Sequence, residues 1–242
     1  MKRLLAAVAV LVVGATSFAS SGKFGLDFSW GLNVGFQNMN VSQANIEGKM
    51  TRTDIALPIV RVSSYNFFLL DNMFGLFASL NLSPGFQFGD KVEANGRTIE
   101  GRGYVGNFSD VFFGIEFIVG PSFGIDINEN LRFKTGLGFH YLFEKSMVEA
   151  FENKVSDSEI SLSLHSFGIA LTPQLRFSPA KKASFILGCD FLFDFGRSGD
   201  TEFKYHVSGN GEQDETASIP ADAIDSYFRF GFSPYIGVGI NF

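Results

Sequence analysis

The sequence predicts an all-β chain whose strands form one antiparallel barrel, and three observations support this fold class. Apolar residues alternate with polar or small residues in eight segments, which is the period of a β-strand. The connections between these segments alternate between long and short. The chain is rich in phenylalanine and glycine, with 30 and 27 residues, but has one cysteine. A single cysteine cannot form an internal disulfide, so the strands themselves must hold the fold.

The first four segments differ in regularity. The first alternates without interruption over residues 24–37. The second, over 55–59, is the weakest, because Pro58 lacks the backbone donor that a sheet requires and predicts an irregularity there. The third covers 74–88. The fourth begins at residue 111, and its end lies between 119 and 125.

The last four segments are longer or more apolar. The fifth covers 131–143, the seventh covers 185–195 and the eighth covers 228–242. In the sixth, over 160–177, the apolar residues change from even to odd positions. One extra residue near 165–166 would restore a continuous apolar face, so the pattern predicts a β-bulge at that point.

The connections are long after odd-numbered segments and short after even-numbered ones. This asymmetry is typical of bacterial membrane barrels, in which the long loops are extracellular and the short turns periplasmic. With an even number of strands, both chain ends fall on the side of the short turns. The predicted long loops are 40–52, 89–109, 144–159 and 197–226, and the predicted short turns are 63–72, 126–130 and 178–183.

The apolar phase of the segments is suited to face lipid. Seven of the eight segments carry no charged residue in that phase. This is the pattern that lipid requires, because an Arg or Lys on the lipid face at mid-bilayer costs about 2–4 kcal/mol. The exception is Arg61, which we expect to extend its charge to the interface beside the periplasmic turn. A water-soluble barrel would instead show many unpaired surface charges.

The opposite phase predicts a polar barrel interior with balanced charge. We expect an ion-pair and hydrogen-bond network there, with Asp194 opposite Arg229 and Glu116 opposite His140, since an unpaired buried charge is costly. Six apolar residues also project inward and fit either ordinary packing or a narrow apolar conduit: Phe77, Phe112, Ile118, Leu142, Ile186 and Leu192. The five acids and five bases of this phase are Asp27, Arg52, Asp54, Glu116, Arg132, Lys134, Arg176, Asp190, Asp194 and Arg229.

The amino terminus predicts a cleaved secretory signal peptide over residues 1–19. Lys2 and Arg3 precede an unbroken apolar run over 4–13, which is too short to cross a bilayer and is followed by a small-x-small cleavage site. The barrel domain would then be 20–242. Loss of Lys2 and Arg3 changes the formal charge from −6 to −8, and such an acidic chain is not expected to bind nucleic acid.

The carboxyl terminus resembles the assembly signal of bacterial outer-membrane barrels, through Tyr235, Gly237, Ile240 and Phe242. With the signal peptide, the eight segments and the four long loops, the chain resembles the small outer-membrane barrels of the OmpX, OmpA-transmembrane and OmpW kind. The resemblance implies an eight-stranded antiparallel up-and-down transmembrane β-barrel in the bacterial outer membrane. It also implies that periplasmic chaperones and the barrel-assembly machinery are partners, along with outer-membrane lipid.

Function is less determined by the sequence than the fold is. Catalysis is not expected, because only His165, Ser166 and Glu159 form a trio worth testing, and no cofactor or metal motif is present. The last loop (197–226) has a net charge of −5 and the third (144–159) of −3. We expect a surface-exposed structural or adhesive protein, whose acidic loops bind either divalent cations or a basic partner such as an extracellular protein ligand. The alternative is an OmpW-like narrow passive channel for small apolar solutes.

Overall fold

Fourteen β-strands account for the regular structure that the computed structural model of the chain describes. The described residues are 23–43, 46–58, 60–94, 97–100, 111–151, 157–180, 183–198, 201–207, 213–219 and 224–241. The first seven strands are β1 (Lys23–Gly31), β2 (Asn33–Gln43), β3 (Ile46–Ala56), β4 (Val60–Leu69), β5 (Phe74–Ala94), β6 (Arg97–Glu100) and β7 (Val111–Asn128). The others are β8 (Leu131–Phe151), β9 (Asp157–Leu171), β10 (Gln174–Ala180), β11 (Ala183–Ser198), β12 (Thr201–Val207), β13 (Gln213–Ile219) and β14 (Ile224–Asn241).

These strands make eight antiparallel crossings that close into a barrel. The first crossing consists of β1 and β2, the second of β3 and β4, and the sixth of β9 and β10. Strands β5, β7, β8, β11 and β14 are the other five. Closure is direct, because Phe28 of β1 is paired with Val238 of β14 on one side and with Val62 of β4 on the other. The predicted all-β, eight-stranded barrel is therefore confirmed.

Alternate residues of each crossing face opposite sides of the wall, as strand geometry requires. The outward side is apolar and exposed, and includes Trp30, Phe139, Phe185 and Ile236 at 52–65% exposure. The inward side is buried and carries nearly all of the buried charges. In water such an outer surface would be strongly unfavourable, so lipid is the solvent that suits it.

The second crossing differs from the prediction in its phase. The irregularity expected at Pro58 is present, because β3 ends at Ala56 and β4 begins at Val60. Across this break the inward phase changes from even to odd positions, so Pro58 is buried and Val60 exposed. Arg61 is consequently inside the barrel and only 2% exposed, and the expectation that it extends to the interface is wrong.

The turn predicted over 63–72 is also wrong in its extent. Strand β4 continues to Leu69, and the reversal is made by the three residues that follow it. Leu70, Asp71 and Asn72 have φ of 49°, 55° and 64°, which is the left-handed region that is costly for leucine and more readily adopted by Asp and Asn. The backbone N–H of Met73 donates to the carbonyl of Leu69 at 3.0 Å and closes the turn.

The β-bulge predicted near 165–166 is absent. The pairing of β8 with β9 runs without a shift from Leu137 opposite Leu171 to Phe151 opposite Asp157. The irregularity lies instead in the partner strand β11, between Asp194 and Gly196. The apolar residues near the start of β9 therefore belong to the inward phase. Lower on the strand the apolar residues are in the outward phase, because only that part of the strand faces lipid, and this is why the sequence pattern changes phase.

Several strands are much longer than the membrane requires. Strands β5 and β8 have 21 residues each, which at about 3.3 Å per residue and a tilt of about 40° corresponds to a height of roughly 50 Å. A lipid-facing band is only about 25 Å tall. The predicted loop over 40–52 is likewise mostly strand, because β2 extends to Gln43 and β3 begins at Ile46.

The extra length forms two sheets above the barrel. One consists of the outer parts of β2, β3 and β5 with β6, and we call it the first protruding sheet. The second protruding sheet consists of the outer parts of β8 and β9 with β12 and β13. Because β12 pairs with β9 and β13, it continues the seventh crossing and does not make a ninth.

Two sequence predictions fall outside the described residues. The signal peptide over 1–19 and the start of the barrel domain at 20 lie before residue 23, and Phe242 follows the last described residue. Among the residues that are described, no helix is long and apolar enough to cross a membrane.

Candidate functional site

The extracellular half of the barrel interior contains a chain of charged side chains from five crossings. Arg229 lies between two carboxylates, with Nη2 3.4 Å from Asp54 Oδ1 and Nη1 3.4 Å from Asp194 Oδ2. His140 Nδ1 is 2.5 Å from Asp194 Oδ1, and its Nε2 is 3.5 Å from Glu116 Oε2. All five side chains are at most 2% exposed, so each charge must be compensated by its neighbours.

His140 is placed to carry a proton on both ring nitrogens. Each nitrogen faces a carboxylate oxygen, and an ionised carboxylate can only accept a hydrogen bond. The imidazolium form is the one that offers both Asp194 and Glu116 a donor. The register places Arg229 directly opposite Asp194, whereas Glu116 is paired with Leu142 and reaches His140 diagonally.

Two buried ion pairs are not predicted by the sequence. Arg52 pairs with Glu144, and Arg61 pairs with Asp190, all within the barrel. The sequence places Glu144 in an acidic loop, and that prediction is wrong because β8 continues beyond it. The available signal for Glu144 is its phase, since it follows His140 and Leu142 at intervals of two. Arg61 has no such signal, because the break at Pro58 reverses the phase.

The periplasmic half of the interior is organised around Asp27. Arg176 Nη1 is 2.6 Å from Asp27 Oδ1, and Gln174 Nε2 donates to Asp27 Oδ2 at 2.9 Å. Lys134 Nζ is further from Asp27, at 3.9 Å, and lies 4.9 Å from the centre of the Tyr65 ring. Aromatic faces therefore contribute to the stabilisation of charge at this end.

Arg132 is separated from the other predicted interior residues. It lies at the periplasmic rim, where Nη1 is 2.7 Å from Asp126 Oδ1 and Nη2 donates to the Asn72 carbonyl at 2.5 Å. The other ten residues predicted for the interior are buried: Asp27, Arg52, Asp54, Glu116, Lys134, His140, Arg176, Asp190, Asp194 and Arg229.

The apolar interior is also closely packed. Phe77, Phe112, Ile118, Leu142, Ile186 and Leu192 are at most 4% exposed, so their predicted inward positions are confirmed. The sequence does not indicate that Tyr65 and Phe67 join them. Tyr65 stacks on Phe77 at 5.4 Å between ring centres and on Phe67 at 6.2 Å. Rings and ion pairs together occupy the lumen of a barrel that is narrow enough to be filled by its own side chains.

The structure separates the serine and the histidine of the trio that the sequence singles out for testing, and the side chain of Glu159 lies outside the described ones. Ser166 is buried and faces the lumen, where its Oγ donates to Asp194 Oδ2 at 3.4 Å. His165 faces outward, and its Nδ1 is 2.7 Å from the hydroxyl of Tyr141. A serine and its base must be within hydrogen-bond reach, which these two residues are not. Within the described part of the chain, no group of three potential ligands is placed to hold a metal ion.

Three residues of the assembly signal can be placed. Tyr235 is buried and its ring lies against the guanidinium of Arg61, with 3.9 Å from Cζ to the ring centre. Gly237 opposes Ser29 in the register, and Ile240 faces lipid at 43% exposure. This strand thus contributes both to the interior network and to the lipid-facing surface.

No family model and no curated protein matches this chain. Among solved structures, the outer membrane protein OprG of Pseudomonas aeruginosa is similar with a TM-score of 0.50 at 11% identity, covering 92% of this chain and 96% of OprG. A major outer membrane protein of Thermus thermophilus has a TM-score of 0.49 at 9% identity, covering 90% and 99%. The Escherichia coli outer membrane protease OmpT has 0.46 at 8% identity, covering 91% and 97%.

The fold, the apolar outer surface and the polar interior together define the class. This chain has the fold of the small β-barrel proteins of the bacterial outer membrane.

Proposed function

We propose that the chain is a surface-exposed binding protein, in which the barrel is an anchor and the second protruding sheet is the adhesive element. The observation that carries this proposal is the contrast between a filled lumen and strands that continue well above the membrane. In the described interior, the ion pairs join residues of different walls, such as Arg52 with Glu144 and Arg61 with Asp190. Such links across the lumen oppose the passage of solutes.

The second protruding sheet has two chemically different faces. By register, Glu149, Glu159, Lys204 and Thr216 form one row across it. On β8 and β9, the positions of this row are in phase with the residues that face outward in the lower, membrane-spanning part of the barrel. The same phase contains Asp157, Glu202, His206 and Asp214. With five acids and one lysine, this face is suited to a partner that carries positive charge.

The neighbouring row of the same sheet is apolar. Val148, Ile160, Phe203 and Ala217 are aligned across the four strands, in the phase that is continuous with the lumen. By register most of the charged positions of this sheet fall in the outward phase, and Glu215, opposite Tyr205, is the exception. Among the described strands, β13 is the last in the order of the sheet, and its outer edge offers backbone groups for strand addition.

The proposal is tested on whole bacteria that display the chain. The probe is fluorescent cytochrome c, a compact basic protein, and the variant combines Glu149→Gln, Glu159→Gln and Asp214→Asn. We expect binding to fall several-fold in the variant, and wild-type binding to be lost at about 0.5 M salt, because exposed charges are then screened within a few ångströms. The matched control neutralises the same number of acids on the first protruding sheet, through Glu47→Gln, Glu93→Gln and Glu100→Gln. Equal binding by both variants would contradict an adhesive role for the second sheet.

Single-channel conductance distinguishes the anchor from the alternative function, a narrow passive channel for small apolar solutes. We expect the refolded wild-type protein to be silent in planar bilayers. Steady conductance that changes in size or selectivity in Asp194→Ala and Arg229→Ala would instead establish a passage through the interior network. The aromatic residues of the periplasmic half would then be its apolar lining.

A further inference from the structure

We infer that the outward face of β8 and β9 binds the phosphate group of an outer-leaflet glycolipid, through His165 and Lys145. This inference does not depend on the adhesive role of the second protruding sheet. It rests on an unusual feature of the lipid-facing surface: a histidine in a phase that is otherwise apolar, held by a tyrosine and followed by an exposed lysine.

His165 and Lys145 lie at the outer boundary of the membrane. The outward residues of β8 are uncharged from Leu131 to Phe143, a stretch of twelve steps that rises about 30 Å at the usual strand rise and tilt. The next outward residue is Lys145, which is exposed. His165 pairs with Phe143 in the last row below it. Both side chains are therefore level with lipid headgroups.

His165 is oriented by two neighbours. Tyr141 Oη is 2.7 Å from His165 Nδ1, and the Phe143 ring centre is 4.8 Å from that of the imidazole. When the tyrosine hydroxyl donates to Nδ1, the ring proton of the neutral imidazole lies on Nε2. In that tautomer Nε2–H is the donor for a ligand, and the contact with Tyr141 holds the ring in place.

Lys145 supplies the charge for the same ligand. It pairs with Ser163, so it is the diagonal neighbour of His165 across the two strands. Diagonal neighbours are about 7–8 Å apart, which a lysine side chain spans. An ammonium and an imidazole N–H at diagonal positions of two paired strands can reach the same phosphate, which offers several strong acceptor oxygens.

The surrounding charges permit an anion at this position. The nearest acids of the outward phase on β8, β9 and β12 are Glu202, which pairs with Ser161 one row beyond Lys145, and Glu149 with Glu159 in the row after it. Glu202 is two strands from Lys145, which places the two residues about 12 Å apart. Glu149 lies four residues beyond Lys145, about 13 Å along the strand, and this exceeds the screening length of about 8 Å at physiological ionic strength. In the outer leaflet of a bacterial outer membrane, the phosphates at this level belong to lipid A.

The experiment is native mass spectrometry of the folded protein in detergent with bisphosphorylated lipid A. We expect the double variant His165→Gln with Lys145→Gln to retain lipid A about ten-fold less than the wild type, because a charge-assisted and an ordinary hydrogen bond are lost. Tyr141→Phe is expected to give a smaller loss, since it removes only the orienting hydroxyl. Heat-modifiable migration on gels establishes that each variant has folded.

Three controls decide the source and the place of binding. Lipid A without its phosphates should bind the wild type as weakly as the double variant binds intact lipid A. Lys49→Gln removes an exposed lysine from the opposite wall, and should leave retention unchanged. The inference is overturned if the double variant retains lipid A like the wild type, if Lys49→Gln has an equal effect, or if millimolar inorganic phosphate displaces the lipid.

Discussion

The two halves of the barrel interior stabilise buried charge by different means. In the extracellular half, Arg229 and His140 are each placed between two carboxylates. In the periplasmic half, Lys134 has one carboxylate at 3.9 Å and two aromatic rings within 6 Å. The first arrangement concentrates acids, and the second concentrates cations and rings.

The difference indicates where the interior depends on pairing. A carboxylate without a cation cannot be stabilised by the face of an aromatic ring, whose quadrupole is negative there. A lysine without a carboxylate still can be. Removal of one cation should therefore lower the free energy of unfolding strongly in the extracellular half and only slightly in the periplasmic half. The predictions below test this asymmetry by unfolding in lipid bilayers, monitored through heat-modifiable migration on gels.

The largest effect is expected for Arg229→Ala. This substitution leaves Asp54 and Asp194 buried without the guanidinium that lies between them, and breaking a buried ion pair in this way costs about 3–5 kcal/mol. The free energy of unfolding in urea measures the loss. Neutralising both acids in the same variant, by Asp54→Asn and Asp194→Asn, should restore part of the stability. A loss below about 1 kcal/mol would show that the chain of charges is not tightly coupled.

An intermediate effect is expected for Gly136→Ala in the periplasmic half. A Cβ at Gly136 would lie 2.2 Å from Cε1 of Phe77, and this ring is already stacked on Tyr65. Forcing an additional methyl group into a packed core costs about 1–3 kcal/mol. Gly114→Ala is the matched control, because the nearest atom to its Cβ is Ser83 Oγ at 3.4 Å. Equal losses in the two variants would contradict close packing around Phe77.

The sequence predicts the architecture well because strand period and loop length are independent signals. Alternation over 131–143 and 185–195 identifies the wall, and the unequal connections identify its two ends. The errors arise where the period of two is interrupted. At Pro58 one displaced residue reverses the phase of all that follows on β4, and this moves Arg61 from the lipid side to the lumen.

A second limit concerns height above the membrane. By pattern alone, Glu144 falls in a loop and the apolar residues at the start of β9 fall on the lipid-facing side. The alternation does not show where the membrane ends. Glu144 of β8 and Ile160 of β9 both belong to the lumen-facing phase of their strands, and the sequence pattern assigns neither of them to it. The pairing of Glu144 with Arg52, 92 residues away in sequence, depends on the closed barrel and has no local signal.

A smaller effect is expected for Tyr65→Phe. The Tyr65 hydroxyl and Thr172 Oγ1 are 3.2 Å apart, and Thr172 also accepts the backbone N–H of Gly136 at 3.0 Å. Loss of the phenol hydroxyl leaves Thr172 with a partner, so the cost should be about 1 kcal/mol. A double-mutant cycle with Thr172→Val isolates this hydrogen bond. Additive losses in that cycle would mean that the two hydroxyls do not interact.

The smallest effect is expected for Lys134→Met, and this comparison with Arg229→Ala is the most direct test of the asymmetry. Methionine is one atom shorter than lysine, is unbranched like it, and places a sulfur near the Tyr65 and Phe67 rings, a contact that is itself favourable. Asp27 retains Arg176 at 2.6 Å and the amide of Gln174 at 2.9 Å, so no carboxylate loses its main partners. The free energy of unfolding should change by less than about 1 kcal/mol, because replacing a buried charged group by a well-packed apolar side chain is often close to neutral. A loss as large as that of Arg229→Ala would show that Asp27 depends on Lys134, and that the two halves of the interior stabilise charge in the same way.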